Sequence, residues 1–379
     1  MRVAIVHDWL TGMRGGEKCL EAFCELFSNA DLFTLLYCPD RVSPTIRQMK
    51  IHASWVQRLP MVERTYRYYL PLFPRAIESI ELSAYDLILS SSHCVAKGIF
   101  PHRALHVAYI HAPMRYVWDL HDQYFGPGAP LLDRLGMKLV RRYLQRWDIR
   151  STGRVDFLLA NSQNVAAKVK NLYGRDATVI HPPVDFENFY LVHEQAPYYL
   201  LVSALVPYKR IDLAVTAFNG LKLPLKVVGD GPGRNKLEAM AGTNIEFLGW
   251  VDHKALPGLY ASCQALIFPG EEDFGIVPLE AQASGRPVIA YGKGGALESV
   301  VPLSLSDSQP ESLGKPTGIF FTELNSEALK DAVLLFQQNQ HRFDAFSIRQ
   351  HACHFSKDRF KSQIRDHIEM RLRERYESR

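Results

Sequence analysis

The chain has 379 residues, 47% hydrophobic and 22% charged, with a formal net charge of +4. It is long enough to bury the cores of two ordinary globular domains without covalent or metal staples. No run of eighteen apolar residues occurs, which excludes a membrane-spanning helix. The six cysteines include no Cys-x-x-Cys pair and no zinc-spaced cluster with histidine, which excludes a structural zinc site. A reduced, cytoplasmic interior is the expected setting.

Met1-Arg2-Val3-Ala4-Ile5-Val6 turns polar at His7-Asp8 and is expected to be a first strand rather than a signal peptide. Short apolar strands then alternate with amphipathic helices, the pattern of a parallel sheet covered on both faces. Further strands are expected at 32–36, 86–90, 106–110 and 157–160. After Val179-Ile180-His181-Pro182-Pro183-Val184-Asp185 and a polar stretch the series restarts, at 199–202, 225–228, 245–248, 265–268 and 287–290. This predicts an α/β protein of two doubly wound, Rossmann-like domains, over residues 1–190 and 191–354. A charged amphipathic helix, with Phe355, Phe360, Ile364 and Ile368 on one side, is expected to follow over 355–379. Ligands in such sheets bind at the carboxyl ends of the strands, and the two edges are expected to face each other across a cleft.

The residues that carry chemistry fall at those edges. The first strand runs into Gly12, Gly15 and Gly16, before a helix expected from Glu17. Glycines there allow close approach to a diphosphate, or simply make a tight turn. His111 opens His111-Ala112-Pro113-Met114-Arg115-Tyr116-Val117-Trp118-Asp119 directly after a strand, as a substrate contact or a structural group. In Ser203-Ala204-Leu205-Val206-Pro207-Tyr208-Lys209-Arg210-Ile211-Asp212, Lys209 is placed to meet a leaving diphosphate. Arg210 either shares that work or pairs with an acid on the helix face. The run Val228-Gly229-Asp230-Gly231-Pro232-Gly233-Arg234 fails the dinucleotide fingerprint, because Arg234 stands where the third glycine belongs.

The most informative stretch is Glu271-Glu272-Asp273-Phe274-Gly275-Ile276-Val277-Pro278-Leu279-Glu280-Ala281, which follows an apolar strand and sets Glu272 and Glu280 eight positions apart. A helix starting near Gly275 turns backbone N–H groups toward an anion. Glu272 then lies on the loop before it and Glu280 about one and a half turns in. An ordinary strand, turn and helix with two solvated glutamates remains the alternative. No Asp-x-Asp occurs, so no metal-diphosphate clamp and no metal cofactor are expected, although Glu271, Glu272 and Asp273 form a weak cation attractor.

Two stretches suggest an anionic membrane surface as partner. Residues 55–75 interleave Trp55, Tyr66, Tyr68, Tyr69 and Phe73 with Arg58, Arg67 and Arg75. Residues 134–150 set Arg134, Lys138, Arg141, Arg142, Arg146 and Arg150 among Leu135, Met137, Leu139, Leu144 and Trp147. A solvated helix that covers its own domain explains the second stretch equally well. No nucleic-acid-binding motif is present, and no nucleic-acid partner is expected.

Together, Gly15-Gly16, His111, Asn161-Ser162, Pro182-Pro183-Val184-Asp185, Lys209, Gly229-Asp230-Gly231-Pro232 and the Glu272-to-Glu280 signature resemble the retaining nucleotide-sugar glycosyltransferases of family four. The resemblance covers nearly the whole chain and implies the two-domain GT-B fold, with a final helix crossing back to the first domain. It implies that Gly16 and Lys209 bind the donor diphosphate, with Gly15, Arg210 and Gly229 beside them. Glu280 would hold the ribose, Glu272 and His111 the sugar, and Phe274, Gly275, Ile276 and Val277 would supply backbone amides. The 111–119 and 206–212 segments look like bacterial and archaeal mannosyltransferases of O-antigen or surface polysaccharide synthesis. They imply GDP-mannose as donor substrate and a glycan or lipid-linked glycan as acceptor; the basic aromatic stretches motivate the expectation that this acceptor lies at the inner face of the cell membrane. One departure is Ala204, where the family carries an arginine. Two other readings stay open: a GT-B enzyme with another donor and a soluble acceptor, and a noncatalytic nucleotide-sugar-binding scaffold.

Overall fold

A computed structural model describes residues 1–118, 131–252, 254–304 and 315–377. The chain divides into two compact units, Met1–Pro183 with Asp358–Arg379, and Val184–Lys357.

The first unit is built on seven parallel strands. Its elements in chain order are β1 (Val3–His7), α1 (Gly15–Leu26), β2 (Asp31–Thr34), β3 (Lys50–Ala53), β4 (Leu87–Ser92) and β5 (Leu105–Ile110), followed by α2 (Leu131–Thr152), β6 (Phe157–Ala160), α3 (Gln163–Tyr173) and β7 (Thr178–Val179). The sheet order is β3-β2-β1-β4-β5-β6-β7, with Ile5 in register with Leu32 on one side and Leu89 on the other. Because side chains alternate across a strand, Ala4 and Val6 enter a core beneath Trp9, Leu144 and Trp147. Ile5 enters the opposite core, with Leu20 and Phe23 of α1.

The second unit repeats the plan with β8 (Tyr199–Val202), α4 (Ile211–Leu221), β9 (Leu225–Val228), α5 (Arg234–Met240), β10 (Ile245–Gly249), α6 (Leu256–Ser262), β11 (Leu266–Phe268), α7 (Ile276–Ala283), β12 (Val288–Tyr291), β13 (Gly318–Phe321), α8 (Ser326–Gln338) and α9 (Ala345–Cys353). Its six parallel strands run β10-β9-β8-β11-β12-β13. Tyr199 and Leu201 face one core, and Leu200 faces the other. The last helix, α10 (Lys357–Glu377), supplies Phe360, Ile364 and Ile368 to the core of the first unit, where Phe360 stacks on Phe23 with ring centroids 5.4 Å apart.

The structure departs from the sequence expectation at three places. β3, β7 and β13 were not anticipated. β3 lies at the sheet edge with only β2 as neighbour, so Lys50 and His52 point to the Asp31 carboxylate rather than into a core, and the strand lacks an apolar signature. α1 starts at Gly15, not Glu17, so both glycines sit in the first helical turn. The last helix starts at Lys357, so Phe355, expected on its apolar side, lies in the connection His354–Ser356, where its carbonyl accepts the N–H of Val184 at 2.8 Å.

Candidate active site

In an open parallel sheet the crevice forms where the strand order reverses, beyond the carboxyl ends of the two strands that flank the reversal. Here the flanking pairs are β1 and β4 in the first unit, and β8 and β11 in the second. The segments that leave these strands, with His111 just past β5, hold most of the candidate residues.

In the second unit, Lys209 comes from the segment after β8 and Glu272 from the segment after β11. Their side chains form an ion pair, 14% and 20% exposed. The Glu272 backbone is fixed by the turn after β12, with Gly295 N–H donating to its carbonyl at 2.9 Å. Phe274 is buried among the apolar side chains below and leans on Phe355. Gly275 then takes φ +86°, a conformation a side chain would strain, and α7 begins. No side chain caps this helix, which leaves the first-turn amides of Ile276 and Val277 for water or an anion; Pro278 in the same turn has no N–H to satisfy. Glu280 lies four residues after Ile276, just over one turn in rather than one and a half. Its carboxylate accepts from the buried Tyr260 hydroxyl at 2.8 Å. Burial, followed by the nearby Glu280 charge, pushes the Tyr260 phenol well above its ordinary value, so the hydroxyl remains the donor.

Three other residues of this unit are held differently. Arg210 has φ +53° and turns its guanidinium onto Asp212, with two contacts of 3.2 Å, so its side chain is engaged by its own helix. Gly229 has φ +127°, and a Cβ there would lie 1.9 Å from the Ser203 carbonyl oxygen. Glycine at 229 therefore lets the segment after β9 lie directly on the segment after β8. Ala204, in that latter segment, is exposed.

In the first unit, His111 follows β5, with its carbonyl held by Asn161 Nδ2 at 2.9 Å. Ser162 caps α3 by accepting from Val165 N–H at 3.0 Å. The His111 Nε2 lies 2.8 Å from Ser91 Oγ, and Ser91 Oγ lies 3.0 Å from His7 Nδ1. Gly16 faces the two rings: a Cβ there would be 3.7 Å from His111 Nε2 and 3.8 Å from His7 Cε1. Gly15 precedes it at the start of the same helix. Beside them the buried Asp8 carboxylate accepts the backbone N–H groups of His93, Cys94, Val95 and Ala96 at 2.5 to 3.0 Å, and lies 3.1 Å from His93 Nδ1.

Electrostatics divide this cluster. Burial, then the electrostatic influence of His93, His7 and Arg115, holds His111 well below the ordinary histidine range, so it is neutral at neutral pH. Burial also lowers His93, although the Asp8 carboxylate opposes it. At Glu17 burial is the largest influence and disfavours charge. The combined effect of His7, His93 and the helix backbone outweighs it, and the carboxyl is held below its ordinary value. Sequence reasoning found His111 and Gly16 but not His7, Asp8, Glu17, Ser91, His93 or Tyr260. The one available signal was Ser90-Ser91-Ser92-His93, a polar run closing an otherwise apolar strand.

The surface stretches sort by face. Val56, Tyr66, Leu70 and Phe73 are buried in the first unit, while Met61 and Tyr68 are 69% and 70% exposed, near the exposed Trp55, Leu72, Arg58, Arg67 and Arg75. On α2, Met137, Leu144 and Trp147 cover their own core, and Arg141 donates to the Val117 carbonyl. Lys138, Arg142, Tyr143, Arg146 and Arg150 are exposed. Asp119 and the side chains of Arg134, Leu135 and Leu139 lie outside the described residues. No helix among the described residues is long and apolar enough to cross a membrane.

Comparison with known proteins gives the same reading. The model for Glycosyltransferase Family 4 matches residues 13–188, and that for Glycosyl transferases group 1 matches residues 185–350. A GDP-mannose-dependent alpha-mannosyltransferase of Mycolicibacterium smegmatis is 33% identical over 187 residues, 46% of this chain and 49% of that protein. The alpha-1,3/1,6-mannosyltransferase ALG2 of Kluyveromyces lactis is 26% identical over 283 residues, 60% of this chain and 56% of that protein. The chain thus spans about half the length of these relatives. Among solved structures, sucrose-phosphate synthase of Thermosynechococcus elongatus superimposes with a TM-score of 0.72 at 17% identity, covering 98% of this chain and 99% of that one. Anabaena HepE in complex with UDP gives 0.69 at 16% identity, covering 98% and 100%. At such identities the structures speak to fold alone, and they share the GT-B architecture. With two family models matched end to end across 13–350 and both sheets built to the plan, the chain belongs to glycosyltransferase family four.

Proposed function

We propose that this protein is a retaining mannosyltransferase that moves mannose from GDP-mannose to a glycan or lipid-linked glycan in surface polysaccharide synthesis. The observation that carries this reading is the Lys209–Glu272 pair at the strand-order reversal of the second unit, beside the uncapped N-terminus of α7. A cation and free amides suit a departing diphosphate, whose developing charge is where electrostatic catalysis acts. Glu272 then turns to the sugar hydroxyls and Glu280 to the ribose. His111 contacts the transferred sugar, and the departing phosphate takes the acceptor proton on the same face. The choice of mannose is supported by the relatives named for GDP-mannose or mannosyl transfer. No metal takes part, so excess EDTA leaves the rate unchanged.

Calorimetric titration with GDP, UDP, ADP and NAD tests the donor. Selective GDP binding that is lost in Glu280→Ala is expected. UDP or ADP binding alone discards mannose, and silence from all four favours a noncatalytic scaffold. An acceptor at the cytoplasmic membrane face is part of this reading, supported by the exposed Tyr68, Met61, Trp55 and arginines of the first unit. Binding to anionic vesicles at low salt, weakened in Tyr68→Ser with Arg67→Ser, is expected; no binding at low salt sinks the membrane assignment.

A further inference from the structure

We propose that Glu17, His7 and Ser91 form a buried positioning relay that holds His111 in the tautomer protonated at Nε2, leaving its Nδ1 lone pair to accept a hydrogen bond from a substrate hydroxyl. The placement of that hydroxyl on a sugar rests on the glycosyltransferase reading above.

Strand register sets up the relay. His7 ends β1 directly opposite Ser91 of β4, and His111 follows the next strand, β5. The Ser91 hydroxyl has one hydrogen and sits between two ring nitrogens, 3.0 Å from His7 Nδ1 and 2.8 Å from His111 Nε2. It donates to one and accepts from the other, so when each ring carries a single proton the two tautomers are locked together. Either both are protonated at Nε2, or both at Nδ1.

Glu17 decides between them. His7 Nε2 is buried, has no hydrogen-bond partner, and lies 4.0 Å from Glu17 Oε1. A lone pair facing a carboxylate at that distance is repelled, whereas an N–H is attracted. Glu17 is itself held as the anion: its other oxygen accepts the Arg14 N–H at 3.0 Å, in the first turn of α1, where the helix dipole favours negative charge. With His7 protonated at Nε2, its Nδ1 accepts from Ser91 O–H, and the Ser91 oxygen accepts from His111 Nε2–H. His93 does not enter the chain, because its ring is taken by Asp8. His7 and Ser91 are sealed from solvent, and His111 is the ring that reaches the partly exposed surface.

The full chain labelled with 15N-histidine reports ring tautomers through long-range proton–nitrogen spectra, with His7→Asn and His111→Asn for assignment. In the wild type both rings are expected to be protonated at Nε2. In Ser91→Ala, His111 is expected to become a mixture, and kcat to fall about tenfold with donor KM changed less than twofold. Ser91→Thr, which keeps the hydroxyl, restores both. A wild-type His111 protonated at Nδ1, or an unchanged tautomer in Ser91→Ala, overturns the relay. If the spectra behave as expected but the wild type transfers no sugar from any nucleotide donor, the relay stands and the sugar assignment falls.

Discussion

Two lysine–carboxylate pairs, one in each unit, show how the same chemistry serves opposite ends. Lys97 and Asp148 in the first unit are 2% and 0% exposed, and their contact is 2.6 Å. Every remaining group is used: Lys97 Nζ also donates to the Ser151 hydroxyl and the Asp148 carbonyl, while the second Asp148 oxygen accepts from Trp118 Nε1 and the Tyr173 hydroxyl. Lys209 and Glu272 in the second unit lie nearer the surface, beside a helix end with no side-chain cap. A saturated, sealed pair fixes the backbone around it; a half-open pair beside free amides can exchange its partner for a ligand.

The contrast is sharpest where removal costs most. Lys97→Met strands the buried Asp148 charge and is expected to destabilise the fold by about 3–5 kcal/mol, read by chemical denaturation. Lys209→Met and Glu272→Ala should instead cut turnover about a hundredfold or more, about 3 kcal/mol of barrier, with less than half the stability loss seen at Lys97. Near-normal rates in both Lys209→Met and Glu272→Ala would remove the second pair from the chemistry.

The asymmetry extends to acid. His93, His106, His111 and His367 in the first unit are lowered mainly by burial, His106 to about 3, against His351 in the second. Such groups stay neutral in the fold while the unfolded chain takes up protons below about pH 6.5, so their contribution is full above that pH and is lost as pH falls, by at most about 1.4 kcal/mol per unit for each. Hydrogen exchange at falling pH should therefore show the first unit opening before the second. The reverse order would mean that groups other than these histidines control acid stability.

Smaller effects test the flanking residues. Tyr260→Phe removes one hydrogen bond to Glu280 and should weaken nucleotide binding about fivefold, near 1 kcal/mol. Arg210→Ala breaks a partly exposed pair with Asp212 and should change that affinity less than twofold. A tenfold loss would show that Arg210 leaves Asp212 for the donor and stands in for the arginine missing at Ala204.

The second-unit residues were legible because their geometry is local: a strand, a glycine at positive φ and a helix put Glu272 and Glu280 in place within nine residues. Lys209 was legible for the same reason, one segment after its strand. His7, Ser91 and Glu17 were not, because their roles arise from register between β1 and β4 and from the first turn of α1. No spacing along the chain encodes which strands become neighbours. β13 was missed because the short Gly318-Ile319-Phe320-Phe321 run gains its meaning only by pairing with β12. The alternation of strands and helices, which needs no such information, gave the two-sheet plan correctly.

The placement of α10 has a consequence for the order of synthesis. Phe360, Ile364 and Ile368 belong to the same apolar cluster as Ile5, Leu20 and Phe23. When the ribosome has finished Pro183, the first unit therefore still lacks part of its interior, and the whole of Val184–Lys357 must emerge before that gap is filled. A nascent chain will carry an uncovered apolar strip beside α1 throughout that interval, which makes it a natural client for chaperones that shield such surfaces. The second unit, continuous in sequence, has no such wait and is free to mature first although it is made later.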